Sequence, residues 1–408
     1  MSKIFETIKS CRLCDSKDIQ EVLNLGDQPP ANSLYKVNEA QPPFVPLRLI
    51  FCKECCAVQL GESIEPEYLF GEYLWVTGTS STAEKHSHEF AKNAMFRCEK
   101  KQPSVIEIAS NDGTFLKRFL DADCEVLGID PARNIAEVAS EKGIPTLAEF
   151  FTAELAQRLM DKKGRNDIVF ARNVIPHVKA IHSVIDGIKI LLDDNGVGII
   201  EFHDAGLILE ELHYDSIYHE HLFLFSLKTI SKLLEKHGLH VFDILPSPIS
   251  GGSWVIYFSK HHKSKSDALL KVEQHEIETG INTLDRWLRF ANETELHAKN
   301  LKAIISENAN KILAYGASAR SSTLLNFCQI SSDHIFAIID KNPLKHGLIT
   351  PGSNIPIISF EDGLEQIQQV ETILLLAWNF QDEVIEELKT KSYSGKFIVP
   401  LPRKTYIK

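Results

Sequence analysis

Four cysteines in two pairs are the residues of this sequence best suited to bind a metal. Cys11 and Cys14 form one Cys-x-x-Cys pair, and Cys52 and Cys55 form the second. Each pair can place two sulfur atoms on one tight turn, and four thiolates complete the tetrahedral shell of a structural zinc, with no position left open for catalysis. Cys56 directly follows Cys55, so the sequence leaves open which of the two binds. Buried or redox-active thiols are the alternative to zinc.

A second cluster with chemical potential is the run Tyr218-His219-Glu220-His221. A histidine can act as a base near neutral pH, a carboxylate can orient it, and a phenol can donate a hydrogen bond to a developing oxyanion. We therefore predict an acid–base site with His221 as the base and with Glu220 and Tyr218 beside it. The alternative is a histidine pair that only satisfies hydrogen bonds. A metal site is less favoured, because residues two apart share a face only on a strand.

Two apolar runs followed by polar residues predict a site for a nucleoside cofactor. Residues 105–109 lead into a turn of small residues, and residues 126–129 end at Asp130. The turn consists of Ser110, Asn111, Asp112 and Gly113. Such a turn lets a ligand approach the backbone, and a carboxylate at the end of the second strand can accept both hydroxyls of a ribose. The pattern Gly-x-Gly-x-x-Gly is missing, which disfavours NAD, and a doubly wound fold without this cofactor is the alternative.

A second strand-to-helix turn lies near the C-terminus, with Tyr315, Gly316, Ser318 and Arg320 as candidate substrate-binding residues. The N–H groups at the start of a helix favour a phosphate group, so the turn predicts a site for a diphosphate. The alternative is a dinucleotide-type fold that serves packing alone.

A third set of candidates precedes the first cofactor turn and is expected to cover the substrate. Its members are Tyr73, Ser80, Ser81 and His86. A serine pair in this position can equally well cap a helix, and the aromatic residue can simply pack.

The elements expected to position these residues suggest three domains. Cysteine and proline are frequent in residues 1–70, which predicts a small loop-rich zinc module. A helix over residues 82–100 and alternating strands and helices as far as residue 259 predict a parallel sheet, closed by an antiparallel hairpin after the Gly-Gly pair, so the core domain is 71–260. Residues 261–408 begin with a helical stretch and continue as a second Rossmann-like domain.

Composition limits the possible partners. The formal net charge of -11 opposes binding to nucleic acid or to an anionic membrane. The first ten residues lack the apolar core of a secretory signal, and no apolar run is long enough to span a bilayer. We expect a cytoplasmic monomer or homodimer that acts on a small molecule.

Several motifs together resemble the sugar C-methyltransferases, which act on nucleotide-linked keto-deoxyhexoses. They are the paired Cys-x-x-Cys motifs, PPANSL, LFGEY, TGTSS, EIASNDG, GIDP, YHEHLFLFSL and YGASARSSTLLN. The resemblance covers nearly the whole chain, although Ala109 stands where a glycine is common. It implies an α/β fold: a class I S-adenosylmethionine methyltransferase core of Rossmann type, with a small N-terminal zinc module and a second Rossmann-like domain at the C-terminus.

The resemblance also implies roles for individual residues. Glu107 and the turn at residues 110–113 would contact S-adenosylmethionine, and Asp130 would hold its ribose. Asn173 would lie beside them, and His177 would join the active site. The C-terminal domain would help to hold the nucleotide.

The implied reaction is methylation of carbon, expected at C3 of a 4-keto sugar, after His221 removes a proton next to the ketone. The alternatives are an O- or N-methyltransferase of another small molecule and a zinc scaffold with a decayed methyltransferase core. An RNA methyltransferase is disfavoured because it would need a basic face.

Overall fold

The computed structural model describes residues 4–70, 77–308 and 312–408. These residues form three larger sheets, one in each third of the chain, and a short two-stranded pairing. Within the described ranges, the helices are too short or too polar to cross a membrane.

The N-terminal sheet is antiparallel, in the order β11-β4-β3-β2. The elements of this part are β1 (Phe5–Thr7), β2 (Ile19–Gln28), β3 (Val45–Cys52), β4 (Val58–Leu60), β5 (Glu62–Ile64) and α1 (Pro66–Phe70), and β1 pairs with β5. The fourth strand of the sheet, β11 (Phe223–Leu224), comes from the central part of the chain and pairs with β4. The N-terminal sheet is thereby joined to the segment that follows His221.

The central sheet has seven strands in the order β12-β13-β10-β9-β6-β7-β8. Its strands are β6 (Val105–Ile108), β7 (Val126–Ile129), β8 (Thr146–Leu147), β9 (Asn166–Arg172), β10 (Leu192–His203), β12 (His240–Ser247) and β13 (Ser253–Ser259). The helices that accompany them are α2 (Ser81–Cys98), α3 (Leu116–Leu120), α4 (Arg133–Glu141), α5 (Ala153–Lys163), α6 (Ile181–Leu191), α7 (Ala205–Glu211) and α8 (Leu227–Lys236). β13 runs opposite to the other six strands of this sheet and is antiparallel to both β10 and β12. The strand order reverses between β6 and β9, and ligands of open α/β sheets bind at such a point, beyond the carboxyl ends of the strands.

The C-terminal sheet has six strands in the order β16-β15-β14-β17-β18-β19. The elements of this part are α9 (Asp267–Thr279), α10 (Leu284–Glu307), β14 (Ile312–Tyr315), α11 (Ala319–Phe327), β15 (Ile335–Ile339), β16 (Ile357–Ile358), α12 (Phe360–Ile367), β17 (Thr372–Leu375), α13 (Gln381–Thr390), β18 (Lys396–Val399) and β19 (Tyr406–Ile407). All but β19 are parallel, and the order is that of a dinucleotide-binding fold.

The predicted fold class is confirmed, including both Rossmann-like sheets and the antiparallel hairpin after the Gly-Gly pair. The helix predicted at residues 82–100 is α2, Ser81–Cys98. The pairing of β11 with the N-terminal sheet was not predicted, because a two-residue strand has no periodicity to detect. The domain limits at 1–70, 71–260 and 261–408 stay a proposal.

Candidate active site

The four predicted zinc ligands lie together. The sulfur atoms of Cys11, Cys14, Cys52 and Cys55 all fall within 4.8 Å of one another, and the pairs Cys11–Cys55 and Cys14–Cys52 are each 3.6 Å apart. Sulfur atoms bound to zinc at about 2.3 Å in a tetrahedron would be about 3.8 Å apart, so the cluster fits the ion. The buried amide of Gln59 donates to the Cys11 sulfur over 3.1 Å, as second-layer groups of metal sites do.

Backbone geometry resolves the choice between Cys55 and Cys56. In each knuckle, the residue after the second ligand adopts a left-handed conformation, with φ of 62° at Asp15 and 66° at Cys56. The N–H group of that residue donates to the carbonyl oxygen of the first cysteine, over 2.9 Å in both knuckles. Cys56 is therefore the equivalent of Asp15, and its role is to close the knuckle.

The predicted cofactor turn connects β6 to the region of α3. Its backbone alternates in hand, with positive φ at Ala109 (54°), Asn111 (51°) and Gly113 (76°). A Cβ atom on Gly113 would come within 2.8 Å of Ile144, so the turn needs glycine there for space as well as conformation. The hydroxyl oxygen of Ser110 is buried without a partner among the described residues.

The side chains of Asp112 and Asn111 accept hydrogen bonds from residues that lie around this turn. The Asp112 carboxylate is buried and accepts from the Lys142 ammonium over 2.6 Å. Burial alone would raise its pKa, but the bonds from Lys142 and Thr114 together lower it. The N–H group of Thr77 donates to the Asn111 side chain over 2.8 Å, and the N–H group of Gly78 donates to Asp112 over 3.3 Å. The TGTSS motif therefore lies directly on the cofactor turn.

A buried network of charged groups extends from the turn. The Arg172 guanidinium lies between the carboxylates of Glu107, at 3.1 Å, and Glu201, at 3.5 Å. Burial raises the pKa of Glu107 to about 8 despite Arg172, and its Oε2 atom has no partner among the described residues. Glu201 also contacts His86 over 2.9 Å and accepts from Ser247, and these bonds lower its pKa against the effect of burial. One buried oxygen of Glu107 is thus left without a hydrogen-bond partner in the described part of the chain.

Asp130 directly follows β7 and is nearly fully buried. Its two oxygens accept the N–H groups of Asn111 and Ala132, each over 2.9 Å. Asp340 repeats this arrangement in the C-terminal sheet, where it accepts the N–H groups of Ala317 and Asn342 over 2.8 Å each. Each Rossmann-like sheet therefore uses a carboxylate at the end of its second strand to hold the neighbouring turn.

The predicted acid–base residues lie next to one another in a loop between α7 and β11. The ring of His221 contacts the rings of Tyr218 and His177, with centroids 4.0 Å and 4.8 Å away. Burial lowers the pKa of His221 to about 4 and that of His177 well below its ordinary value. Both imidazoles are therefore neutral at physiological pH. The loop places Tyr218 against His221, and His177 reaches the same ring from the turn Ile175–His177 after β9.

Glu220 points into the N-terminal part of the protein. Its Oε1 accepts from the Asn32 amide over 2.6 Å, while its Oε2 is buried without a partner in the described part of the chain. Burial raises the pKa of Glu220 to about 7, although Asn32 opposes the shift. Next to it, His219 contacts the carbonyl oxygen of Val45 over 3.1 Å. β3 and the segment between β2 and β3 therefore hold one side of the acid–base loop.

Comparison with known proteins identifies the chemistry of this arrangement. The chain is 31% identical over 412 residues to the C-methyltransferase NovU of Streptomyces niveus, an alignment that covers 98% of this chain and 97% of NovU. Residues 248–402 match the family model described as "C-methyltransferase C-terminal domain", and residues 83–244 match "Methyltransferase domain". Residues 11–70 match "Putative zinc binding domain".

The chain belongs to this C-methyltransferase family. It is an S-adenosylmethionine-dependent C-methyltransferase with a zinc-binding N-terminal part. Among solved structures, it is similar to the magnesium protoporphyrin IX methyltransferase of Synechocystis PCC 6803 with bound SAM, at 14% identity and a TM-score of 0.34, covering 44% of this chain and 81% of that one. It is also similar to the 1,6-didemethyltoxoflavin-N1-methyltransferase of Burkholderia thailandensis, at 15% identity and a TM-score of 0.34, covering 45% of this chain and 81% of that one.

Other predicted residues of this C-methyltransferase make contacts within the central part of the protein. Tyr73 lies outside the described residues. Ser80 caps α2 by accepting from the N–H group of Ala83, and His86 is buried against Glu201. Asn173 follows β9 with a φ of 51°, and its N–H group donates to the backbone carbonyl oxygen of Glu201 over 2.8 Å.

The predicted residues of the C-terminal turn also bond to other parts of the protein. Tyr315 donates to Glu387 over 3.1 Å, and Ser318 caps α11. Gly316 has a φ of 98°, and a Cβ atom there would come within 2.6 Å of Ala377. Arg320 lies in the first turn of α11, but its guanidinium pairs with Asp215 of the central part.

Sequence reasoning missed Asn32, Arg172 and Glu201. Arg172 ends β9 and Glu201 lies near the end of β10, and each follows an apolar run, which is a detectable signal for a buried, paired charge. Asn32 belongs to PPANSL, a motif noted for the resemblance, but nothing in the sequence pairs it with Glu220 across 188 positions.

We expect Asp130→Ala to weaken S-adenosylhomocysteine binding by about 10- to 100-fold, since hydrogen bonds to a charged group contribute about 1.5–3 kcal/mol. The measurement is a calorimetric titration. Asp340→Ala is the matched control, because it removes the same kind of turn-holding carboxylate from the other sheet. Equal affinity in wild type and Asp130→Ala would remove Asp130 from the ribose site.

We expect the affinity for S-adenosylhomocysteine to rise with pH up to about pH 8. An ammonium group beside Glu107 favours the ionised carboxylate, so binding below the raised pKa of Glu107 must release a proton, at a cost of up to tenfold in affinity per pH unit. Calorimetry between about pH 6 and 9 measures this slope. Glu107→Gln should abolish it, and the same slope in wild type and variant would show that Glu107 does not contact the ligand.

Proposed function

We propose that this C-methyltransferase methylates the C3 carbon of a nucleoside diphosphate-linked 4-keto-deoxy sugar. The observation that carries the proposal is the acid–base loop, where His221 contacts Tyr218 of the same loop and His177 of the turn after β9. Glu220 of this loop keeps a buried oxygen without a partner among the described residues. Carbon is a poor nucleophile until a proton is removed. A ketone next to the reacting carbon makes this removal possible, because the carbonyl oxygen takes up the electron pair.

In this proposal, His221 breaks the C–H bond next to the ketone. Its neutral imidazole takes the proton, and the electron pair moves into an enolate whose charge is on the carbonyl oxygen. Tyr218 donates a hydrogen bond to that oxygen. Glu220, held by the Asn32 amide, lies beside the base in the same loop. His177 packs against His221 and completes the polar wall of the site.

The central sheet would hold the cofactor beyond the carboxyl ends of its strands. Glu107 and the turn at residues 110–113 would hold the methionine part, Asp130 the ribose, and Asn173 would lie beside them. Bound S-adenosylmethionine supplies the methyl group, so that the bond from sulfur to methyl breaks as the new carbon–carbon bond forms. The orphaned oxygens of Glu107 and Ser110 fit such a polar ligand.

The nucleotide part of the substrate is assigned to the C-terminal domain. The turn of Tyr315, Gly316 and Ser318 leads into the N-terminus of α11, a position that favours a diphosphate. Tyr73, Ser80 and His86 are proposed to lie around the sugar, and the Thr77–Thr79 turn rests on the cofactor turn. Cofactor and sugar would thus be covered by one segment.

A thermal-shift screen tests this assignment. Specific ligands raise the unfolding temperature by mass action, so S-adenosylhomocysteine and one nucleoside diphosphate should each raise it, and more when added together. Free sugars without a nucleotide are the control. If S-adenosylhomocysteine shifts the transition and no nucleoside diphosphate does at millimolar concentration, the nucleotide-linked substrate is wrong.

A further inference from the structure

The orientation of His221 is set by a backbone carbonyl group. Its Nδ1 atom lies 2.7 Å from the carbonyl oxygen of Ser216. Because a carbonyl oxygen can only accept, the neutral imidazole must carry its proton on Nδ1, which leaves the lone pair on Nε2. Whatever holds the Ser216 carbonyl therefore determines which nitrogen of His221 can act as a base.

Ser216 belongs to a short 3-10 turn, Tyr214–Ser216, whose central residue is clamped by the C-terminal part of the chain. Asp215 is 1% exposed. It accepts from Arg320 in two parallel bonds of 2.9 and 3.0 Å and from the indole N–H group of Trp378 over 2.8 Å. Such a forked arginine–carboxylate pair fixes direction as well as distance. Arg320 also donates to the carbonyl oxygen of Ser250 over 3.0 Å.

The residues on either side of this clamp have partners from the same part of the chain. The hydroxyl of Thr323 donates to the carbonyl oxygen of Ile217 over 3.0 Å. The Tyr214 hydroxyl contacts Nδ1 of His297 over 2.9 Å. Side chains from α10, α11 and the segment after β17 thus hold Tyr214 and the two neighbours of Ser216, Asp215 and Ile217.

We propose that Arg320 and Trp378 are positioning residues that hold Asp215, and through it the Ser216 carbonyl group, so that His221 keeps its Nδ1–H form and a free Nε2 atom. The C-terminal part would then take part in catalysis besides any contact with the nucleotide. The consequence for turnover rests on the proposed function of His221 as the base. The form of the imidazole does not rest on it.

The test measures two quantities in the full-length enzyme: which nitrogen of His221 carries the proton, and kcat. Two-bond ¹H–¹⁵N spectra of protein labelled at histidine report the protonated nitrogen, and the absence of one signal in His221→Gln assigns it among the 16 histidines. Trp378→Phe keeps an aromatic ring but removes the N–H donor, and Arg320→Met removes the fork. Arg286→Met is the matched control, because Arg286 donates to the carbonyl oxygen of Leu209 over 2.9 Å from α10 without touching the turn.

We expect wild type and Arg286→Met to show the Nδ1–H form. Trp378→Phe and Arg320→Met should show a mixture with the Nε2–H form, and kcat should fall about 10- to 100-fold at nearly constant KM, as displacement of a catalytic group does. An unchanged His221 signal and unchanged kcat in folded Trp378→Phe would overturn the proposal, even if Arg320→Met does not fold. If the clamp variants change the His221 signal while His221→Ala keeps its turnover, the clamp is supported and the assignment of His221 as the base is overturned. Failure of the clamp and failure of the proposed base are therefore distinguishable.

Discussion

Replacing His221 by alanine should lower kcat by about 10²–10⁴-fold and change KM little, because a general base acts in the transition state more than in the bound ground state. His219→Gln is the matched control in the same loop, since His219 contacts the carbonyl oxygen of Val45. An amide can still donate to that oxygen, so this variant should lose far less turnover.

Hydrogen exchange separates proton removal from methyl transfer. Substrate with deuterium at the reacting carbon should lose the label to solvent in wild-type enzyme, and His221→Ala should retain it. Near-wild-type turnover in His221→Ala, or much greater damage from Glu220→Gln, would make Glu220 the base and His221 its neighbour.

The pH profile distinguishes the same two bases independently. With its pKa lowered to about 4, His221 is already neutral at about pH 5.5, so a rate that depends on it does not rise with pH above that value. The pKa of Glu220 is raised to about 7, so a rate that depends on its carboxylate would rise nearly tenfold per pH unit and level off near neutrality.

Loss of one zinc ligand should also have a large effect, on metal content, on folding of the N-terminal part and on turnover. Structural zinc contributes about 10–16 kcal/mol in isolated zinc-finger peptides, so Cys55→Ser is expected to lose the metal and unfold much of the N-terminal part. The Asn32–Glu220 and Val45–His219 contacts depend on that part, so turnover should fall as well. Metal analysis and thermal unfolding of purified protein measure both consequences.

Cys56→Ser is the control for this experiment. Its side chain lies outside the ligand set, and its backbone only closes the knuckle, so the variant should retain about one zinc per chain. Loss of zinc from Cys56→Ser with retention in Cys55→Ser would reverse the assignment. Less than about half an equivalent in wild type never exposed to chelator would contradict the site itself.

Residues whose function depends on local sequence were predictable. The paired cysteines, the turn after β6 and the succession of strands and helices all follow from short spacings and apolar runs, which act over a few positions. The choice between Cys55 and Cys56 was not predictable, because it depends on a left-handed backbone that cysteine and aspartate share in the two knuckles.

Contacts between distant segments were beyond prediction for a different reason. Asn32 and Glu220, or Arg320 and Asp215, are paired by the packing of whole sheets, and each residue alone resembles an ordinary polar side chain. The predicted phosphate role of Arg320 came from its place at a helix N-terminus, whereas the direction of its side chain is set by a buried carboxylate from the central part.

Transfer of a ¹³C-labelled methyl group from S-adenosylmethionine to a nucleoside diphosphate-linked 4-keto-deoxy sugar tests the central claim most directly. Carbon–proton correlation spectra of the product should show the labelled methyl group bonded to carbon next to the ketone, together with loss of the proton from that carbon. A labelled methyl group with the shift of an O- or N-methyl, or incorporation only into acceptors that lack a ketone, would contradict the account.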